Sequence, residues 1–204
     1  MTRYGMLIDL RRCISCYACV TACKIENGVP PDIYLDDVLQ TEVGQYPDAR
    51  RVFLPILCNH CEEPACLKAC PSHAIYRTKD GIVLVDEEKC VGARACVAAC
   101  PYGRIFFVNG YGRTYFPDYV TPWEEYHRRK RRPDKAMKCT FCVHRVRDGK
   151  KPACVETCPA GCRIFGDLDD PKSDINQYLN KKKPAEPFVL KPEAGTKPKV
   201  YYLL

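Results

Sequence analysis

The sequence predicts an α+β fold: two interlocked lobes organised around metal centres, little regular secondary structure, and an extended C-terminal tail. Three observations carry this reading. Cysteine supplies 16 of 204 residues, and fifteen of these fall into four tight groups. The apolar stretches between groups are brief and end in charge, as in GIVLVD, which suits short strands before ligand loops. From Asn180 the chain reads NKKKPAEPFVLKPEAGTKPKVYYLL, where Pro184, Pro187, Pro192 and Pro198 forbid a long helix.

The first group is Cys13, Cys16, Cys19 and Cys23, spaced C-x2-C-x2-C-x3-C. The second is Cys58, Cys61, Cys66 and Cys70, followed by Pro71. The third is Cys90, Cys96 and Cys100, followed by Pro101, and the fourth is Cys139, Cys142, Cys154 and Cys158, followed by Pro159. Thiols three residues apart can meet one metal centre but seldom pair in a disulfide. The opening MTRYGMLIDLRRC also carries no apolar signal segment, so a secreted disulfide scaffold is set aside. Soft thiolates suit zinc or iron–sulfur clusters. Zinc usually takes two C-x2-C hooks across a long loop, whereas C-x2-C-x2-C-x3-C is the bacterial ferredoxin spacing. In that spacing three thiolates wrap one cubane and the last reaches the neighbouring cluster, so two motifs interlock. Proline after the last cysteine fixes the local backbone and has no N–H to satisfy. The fourth group alone is compatible with zinc; beside three ferredoxin-like groups it reads as iron–sulfur.

The third group has Ala93 where the first group has its second cysteine. Alanine cannot ligate iron. A three-iron cluster is the natural product; a four-iron cluster with an oxygen ligand at that corner and a lost cluster are the alternatives. Arg94 is adjacent and could favour the reduced form, so this centre is expected to have the highest potential. Cys162, the sixteenth cysteine, is read as a small buried thiol, with rescue of the incomplete cluster as the alternative.

In chain order, strands are expected near Tyr4–Asp9, Gly81–Asp86 and Arg104–Val108, and short helices after Cys19, Cys66, Cys96 and Cys154. Residues 111–135 read as a connection rich in aromatics, ending in the basic run HRRKRR. That run is expected to be a solvated loop, or else a docking surface for an acidic partner or lipid headgroups. Its aromatics are expected to pack on a lobe or a partner rather than stack bases, and nucleic acid is not expected. His60 and His144, each beside a cluster cysteine, are read as structural, with a hydrogen bond to a cluster sulfide as the alternative. The net charge of +7 permits an acidic partner or an anionic membrane surface. No apolar stretch approaches eighteen residues, so no direct membrane span is expected.

These motifs resemble a known family. Gly5–Leu10 before the first group, LCNHCEEPACLKACP, ACVAACPYG, KCTFCVHR, PACVETCP, FGDLDDP and the tail LKPEAGTKPKVYYL are similar to the four-cluster electron-transfer (beta) subunit of the molybdopterin oxidoreductases. That group includes polysulfide, thiosulfate, tetrathionate, arsenate and dimethyl sulfoxide reductases. The likeness covers nearly the whole chain and is strongest to the arsenate and sulfur-oxyanion types.

The resemblance implies that the first motif pairs with the fourth and the second with the third. One [4Fe-4S] cluster would take Cys13, Cys16, Cys19 and Cys158; a second, Cys23, Cys139, Cys142 and Cys154; a third, Cys58, Cys61, Cys66 and Cys100. A [3Fe-4S] cluster would take Cys70, Cys90 and Cys96, with Ala93 at the vacant position. One ferredoxin-like lobe would combine residues 1–30 with 136–170, an inserted lobe would occupy 52–110, and 180–204 would form the extended tail, lying along a partner or back over the chain's own surface. Related enzymes replace the cysteine at the Ala93 position by a bulky residue, and that cluster lies nearest the membrane subunit.

The implied function is non-catalytic. Single electrons would pass between a molybdenum or tungsten bis-pterin catalytic subunit, acting on a sulfur or arsenic oxyanion or polysulfide, and a quinone-reactive membrane subunit. The chain would sit peripheral to the cytoplasmic membrane within a complex, on a side the sequence does not decide. The alternatives are an electron-transfer subunit of a hydrogenase or formate dehydrogenase and, more remotely, an enzyme using the open three-thiolate cluster.

Overall fold

The computed structural model describes residues 2–181 and 186–204, so the expectation at Pro184 lies outside them. β1 (Tyr4–Asp9) is the middle of a three-stranded sheet and is buried from Gly5 onward. Its apolar run without alternation is what a strand covered on both faces requires. β8 (Arg163–Asp167) pairs antiparallel to it, with Met6 opposite Phe165. β9 (Val200–Leu203) pairs parallel on the other side, with Leu7 opposite Tyr201. Gly5 permits this approach: a Cβ there would lie 2.7 Å from Leu168 Cδ1 and 2.8 Å from the Lys199 carbonyl.

Asp9 caps a single 3-10 turn, Leu10–Arg12, which feeds the first cysteine loop. α1 (Ala18–Asn27) follows and ends at Gly28, in the left-handed region at φ 60°. A hairpin of β2 (Asp36–Val43) and β3 (Arg50–Leu57) then projects outward. It was not expected, because Pro55 and the charged ends of both segments weaken the strand pattern. Pro55 is tolerated because β3 is an edge strand of a two-stranded sheet, and its carbonyl accepts the Tyr202 hydroxyl at 3.1 Å.

Next come α2 (Ala65–Lys68), the hairpin β4 (Ile75–Arg77) and β5 (Val83–Val85), and α3 (Ala95–Ala99). β6 (Ile105–Val108) pairs antiparallel with β7 (Lys135–Lys138). Beyond that pair come α5 (Val143–Arg147), α6 (Ala153–Glu156) and α7 (Asp174–Lys181), and α4 (Pro122–Arg129) lies in the connection between β6 and β7. The four expected helices are α1, α2, α3 and α6, each holding its named cysteine. β1 spans the expected Tyr4–Asp9, and β5 and β6 fall within the other two expected strands. α1 packs on α6, and α2 on α3.

The connection contains a helix that was not foreseen, α4 (Pro122–Arg129). Thr121 and Glu124 form a reciprocal capping box and Pro122 opens the first turn, a sequence signature that the basic run obscured. HRRKRR is therefore not simply a solvated loop. It is the last turn of α4 and its exit, where cations complement the helix dipole. Arg129 pairs with Glu125, Arg132 pairs with Glu88, and Arg131 is pinned to the Gly28 carbonyl. Two of the aromatics pack on the end of α1, where Trp123 Nε1 donates to the Ile25 carbonyl at 3.2 Å and Tyr115 donates to Val29 O at 3.0 Å, while Phe116, Tyr119 and Tyr126 stay exposed.

The tail returns to its own chain, but as an interior strand rather than over a surface. Val200, Tyr202 and Leu203 are fully buried. On the way, Glu62 and Glu63 donate their backbone N–H to Lys197 O and Thr196 O, and Lys199 donates to Asn59 O. The main core joins Met6, Ile8, Val20, Phe141 and Phe165 to Leu57, Ile82, Leu84 and Tyr202, so segments from across the chain share one apolar interior.

Candidate iron–sulfur cluster sites

The ligand loops are built by left-handed backbone. Ser15 and Tyr17 flank Cys16 at φ 54° and 59°, His60 precedes Cys61 at φ 43°, and Phe141 precedes Cys142 at φ 51°. Such turns aim consecutive N–H groups into a concavity suited to an anionic cluster. His60 N donates to Cys58 Sγ at 3.5 Å, and Phe141 N donates to Cys139 Sγ at 3.4 Å, the same two-residue relation in two motifs. Cys70 and Cys158, each followed by proline, share a second relation. Burial opposes ionisation at both, yet each thiol is held below its ordinary pKa. For Cys70 the hydrogen bonds come from Ser72, Ala74 and Ile75; for Cys158 they come from Ala160, Cys162 and Arg163.

The fold gathers the thiols into groups. Burial pushes Cys66 up to about 12, and charge on Cys58, Cys100 and Cys61 acts in the same direction. Cys96 is raised by burial and then by Cys70 and Cys90. Cys139 is raised well above its ordinary value by burial, with Cys23, Cys58 and Cys142 adding to it. Burial also raises Cys154, and there Cys139 and Cys142 contribute. Cys13, Cys16, Cys19 and Cys158 line one small cavity together with Cys162. Cys58 also packs in the same apolar cluster as Cys139, from the other half of the chain. Among the described residues no three His, Cys, Asp or Glu side chains converge as a single metal ion requires.

Several polar contacts were not legible in the spacing. Asn27 Nδ2 reaches Cys23 Sγ at 3.7 Å and Cys142 Sγ at 3.8 Å, tying α1 to the fourth motif. Arg163 is fully buried, donates to Cys19 Sγ at 3.3 Å, and pairs with buried Asp36 at 2.6 Å. Only its place one residue past Cys162 hinted at this. Thr196, brought in by the tail, hydrogen-bonds Cys61 and lowers a thiol that burial raises to about 11.

The other expected residues are placed as follows. Arg94 stacks its guanidinium on Phe107, 4.0 Å from the ring centre, and donates to Asn109 at 2.8 Å. It is thus engaged by a ring and an amide, and its backbone, at φ 58°, shapes the loop. Gly92 at φ 72° lies on the other side of Ala93, so Ala93 is flanked as Cys16 is. Cys162 is buried 3.5 Å from Cys158 Sγ and lines the same cavity as Cys13, Cys16, Cys19 and Cys158. His144 faces outward and meets Glu26 at 2.7 Å, whereas His60 is fully buried and stacks on Phe141 with centroids 3.7 Å apart.

The donor set fits the group. Clustered thiols, backbone N–H groups aimed at sulfur, and a cysteine-lined cavity are what a cluster needs, and binding would displace the thiol protons. A family description, the 4Fe-4S dicluster domain, matches residues 49–114 and 120–168, and a 4Fe-4S binding domain matches residues 11–29. This chain belongs to that iron–sulfur family. It is 44% identical over 203 residues to a tetrathionate reductase subunit of Salmonella typhimurium, covering 98% of this chain and 72% of the relative. It is 37% identical over 227 residues to the arsenate respiratory reductase iron-sulfur subunit of a Shewanella species, covering 98% and 96%. It is 39% identical over 211 residues to a selenate reductase subunit of Mesobacillus selenatarsenatis, covering 97% and 70%. With relatives such as these, the chain is an iron–sulfur electron-transfer component of an oxidoreductase rather than its catalytic part.

Proposed function

We propose that the chain is a four-cluster wire. Its stations in order would be Cys13, Cys16, Cys19 and Cys158; then Cys23, Cys139, Cys142 and Cys154; then Cys58, Cys61, Cys66 and Cys100; and last Cys70, Cys90 and Cys96 with a three-iron centre. The observation that carries this reading is the meeting of Cys58 and Cys139. It brings the two inner groups side by side, while α1 links the first pair of groups and the Cys66–Cys70 segment links the last pair. The clusters supply one-electron chemistry, and the protein supplies their spacing, insulation and local charge.

The partner reading rests on the relatives. Their names are those of arsenate, tetrathionate and selenate reductases, which supports a molybdenum or tungsten bis-pterin partner acting on an oxyanion or polysulfide. The other end of the wire would face a quinone-reactive membrane subunit. No helix among the described residues is long and apolar enough to cross a membrane, so attachment would come through that partner. The test is EPR on the purified complex, first oxidised and then reduced stepwise, with iron counted on the same sample. About fifteen irons per chain and a three-iron signal in the oxidised state are expected. Sixteen irons with no oxidised signal would mean that an oxygen or other ligand fills the Ala93 corner. An iron content short by a whole cluster would overturn the four-station reading.

A further inference from the structure

Lys138 ends β7, one residue before Cys139, and is only 3% exposed. A lysine so buried ordinarily meets a carboxylate. Here the ammonium donates to two backbone carbonyls, Val83 O and Cys139 O, the second at 2.8 Å, and no carboxylate pairs with it among the described residues. Its third N–H has no partner there. Arg163, equally buried, differs: Asp36 neutralises it at 2.6 Å.

The place of Lys138 explains what it faces. Its ammonium bonds the carbonyl of Cys139, in one inner group, and the carbonyl of Val83, which belongs to the apolar cluster against which Cys66 of the other inner group packs. Val83 holds the junction from its own peptide. Its carbonyl takes Lys138, and its N–H donates to His60 Nδ1 at 3.1 Å. His60 therefore carries its proton on Nε2, near the Cys139 carbonyl but without a hydrogen-bond partner. Burial, then the charges of Lys138 and Lys199, keep this imidazole neutral. The ring stacks on Phe141, so the loop after Cys58 and the loop after Cys139 touch through two aromatic faces. Lys199 is also buried and its charge also reaches His60, but its ammonium is held by the Gly81 carbonyl, whereas Lys138 bonds the Cys139 carbonyl itself; thiolate-bound clusters are the anions that would balance Lys138.

We propose that Lys138 is a positioning residue that raises the reduction potential of the two inner clusters and so sets the electron step between the two halves of the wire. Reduction adds one negative charge to a cluster, and a buried cation nearby favours the reduced form. No bond is made or broken. The proposal rests on the four-station reading above.

The experiment is an EPR-monitored redox titration of the assembled complex, with iron counted on every sample. Wild type is compared with Lys138→Gln, Lys138→Arg and Lys150→Gln; the last removes the same charge from the surface. In Lys138→Gln the two inner potentials should fall while the outer two hold. The expected change in the reduced-to-oxidised ratio is tenfold, about 59 mV for a one-electron couple. Lys138→Arg should keep the wild-type values, and Lys150→Gln should leave all four unmoved. If Lys138→Gln assembles poorly, Lys138→Met takes its place. Unchanged inner potentials in a fully loaded variant would overturn the proposal. So would loss of iron in both uncharged variants, because Lys138 would then serve the fold. A wild-type complex lacking two inner four-iron signals would instead overturn the four-station reading itself.

Discussion

Restoring the missing thiol is the sharpest test of the altered cluster. Ala93 is exposed, as Cys16 is, and both are flanked by left-handed residues: Gly92 and Arg94 at φ 72° and 58°, Ser15 and Tyr17 at φ 54° and 59°. The backbone at Ala93 thus already aims its Cβ as a ligand loop does. Adding one sulfur at an exposed site creates no cavity and forces no repacking. Ala93→Cys should therefore assemble normally and complete a cubane with Cys70, Cys90 and Cys96. Iron should rise from about fifteen to about sixteen per chain, and the oxidised three-iron signal should vanish from a full spin to none. The potential of that centre should fall, because cluster type and charge are main levers on it. The assay is EPR of the oxidised complex with paired iron analysis. A three-iron signal of undiminished intensity in Ala93→Cys would refute the argument, since a well-aimed thiolate would then have failed to complete the cluster.

Three further outcomes follow from named contacts. Asp36→Asn strips the partner from fully buried Arg163, and breaking such a pair costs about 3–5 kcal/mol; the guanidinium midpoint, followed by loss of cluster absorbance, should fall accordingly, and an unmoved midpoint would show that Arg163 is held by sulfur alone. Asn27→Leu removes two N–H contacts to Cys23 and Cys142, worth about 1 kcal/mol together; the potential of that cluster should drop while the others hold, and a uniform drop in all four would point to general loosening. Asp9, held by a bidentate Arg11 with Tyr178 also donating to it, has its carboxyl below the ordinary 3.8. A depressed folded pKa stabilises the fold above 3.8 and loses that stabilisation as pH falls below it toward the folded value. The thermal-stability gap between wild type and Asp9→Asn should therefore narrow in that acid window and stay constant near neutrality.

What the sequence by itself determined is the local chemistry. The left-handed residues between the cysteines, Ser15, Tyr17, His60, Arg94 and Phe141, could not be read from their types, whereas thiols three residues apart and a proline after the last cysteine need no distant information. The same holds for α1, α2, α3, α6 and β1, whose positions were legible from cysteines and apolar runs. The gap at Ala93 was equally local. The resemblance, rather than the spacing, implied which motif lends its last cysteine to which. Tertiary structure alone decided the rest. β9 could not be foreseen as an interior strand, because its pairing with Met6–Asp9 spans nearly the whole chain and four prolines argue against order in the tail. The hairpin β2–β3 was hidden by Pro55, tolerated on an edge strand where the tail's Tyr202 uses its carbonyl. Asn27, Asp36, Arg163, His60 and Lys138 are ordinary polar residues in the sequence. Their meaning comes from low-dielectric neighbours contributed by other segments, where one buried charge or N–H acts on a cluster far more strongly than it would in water.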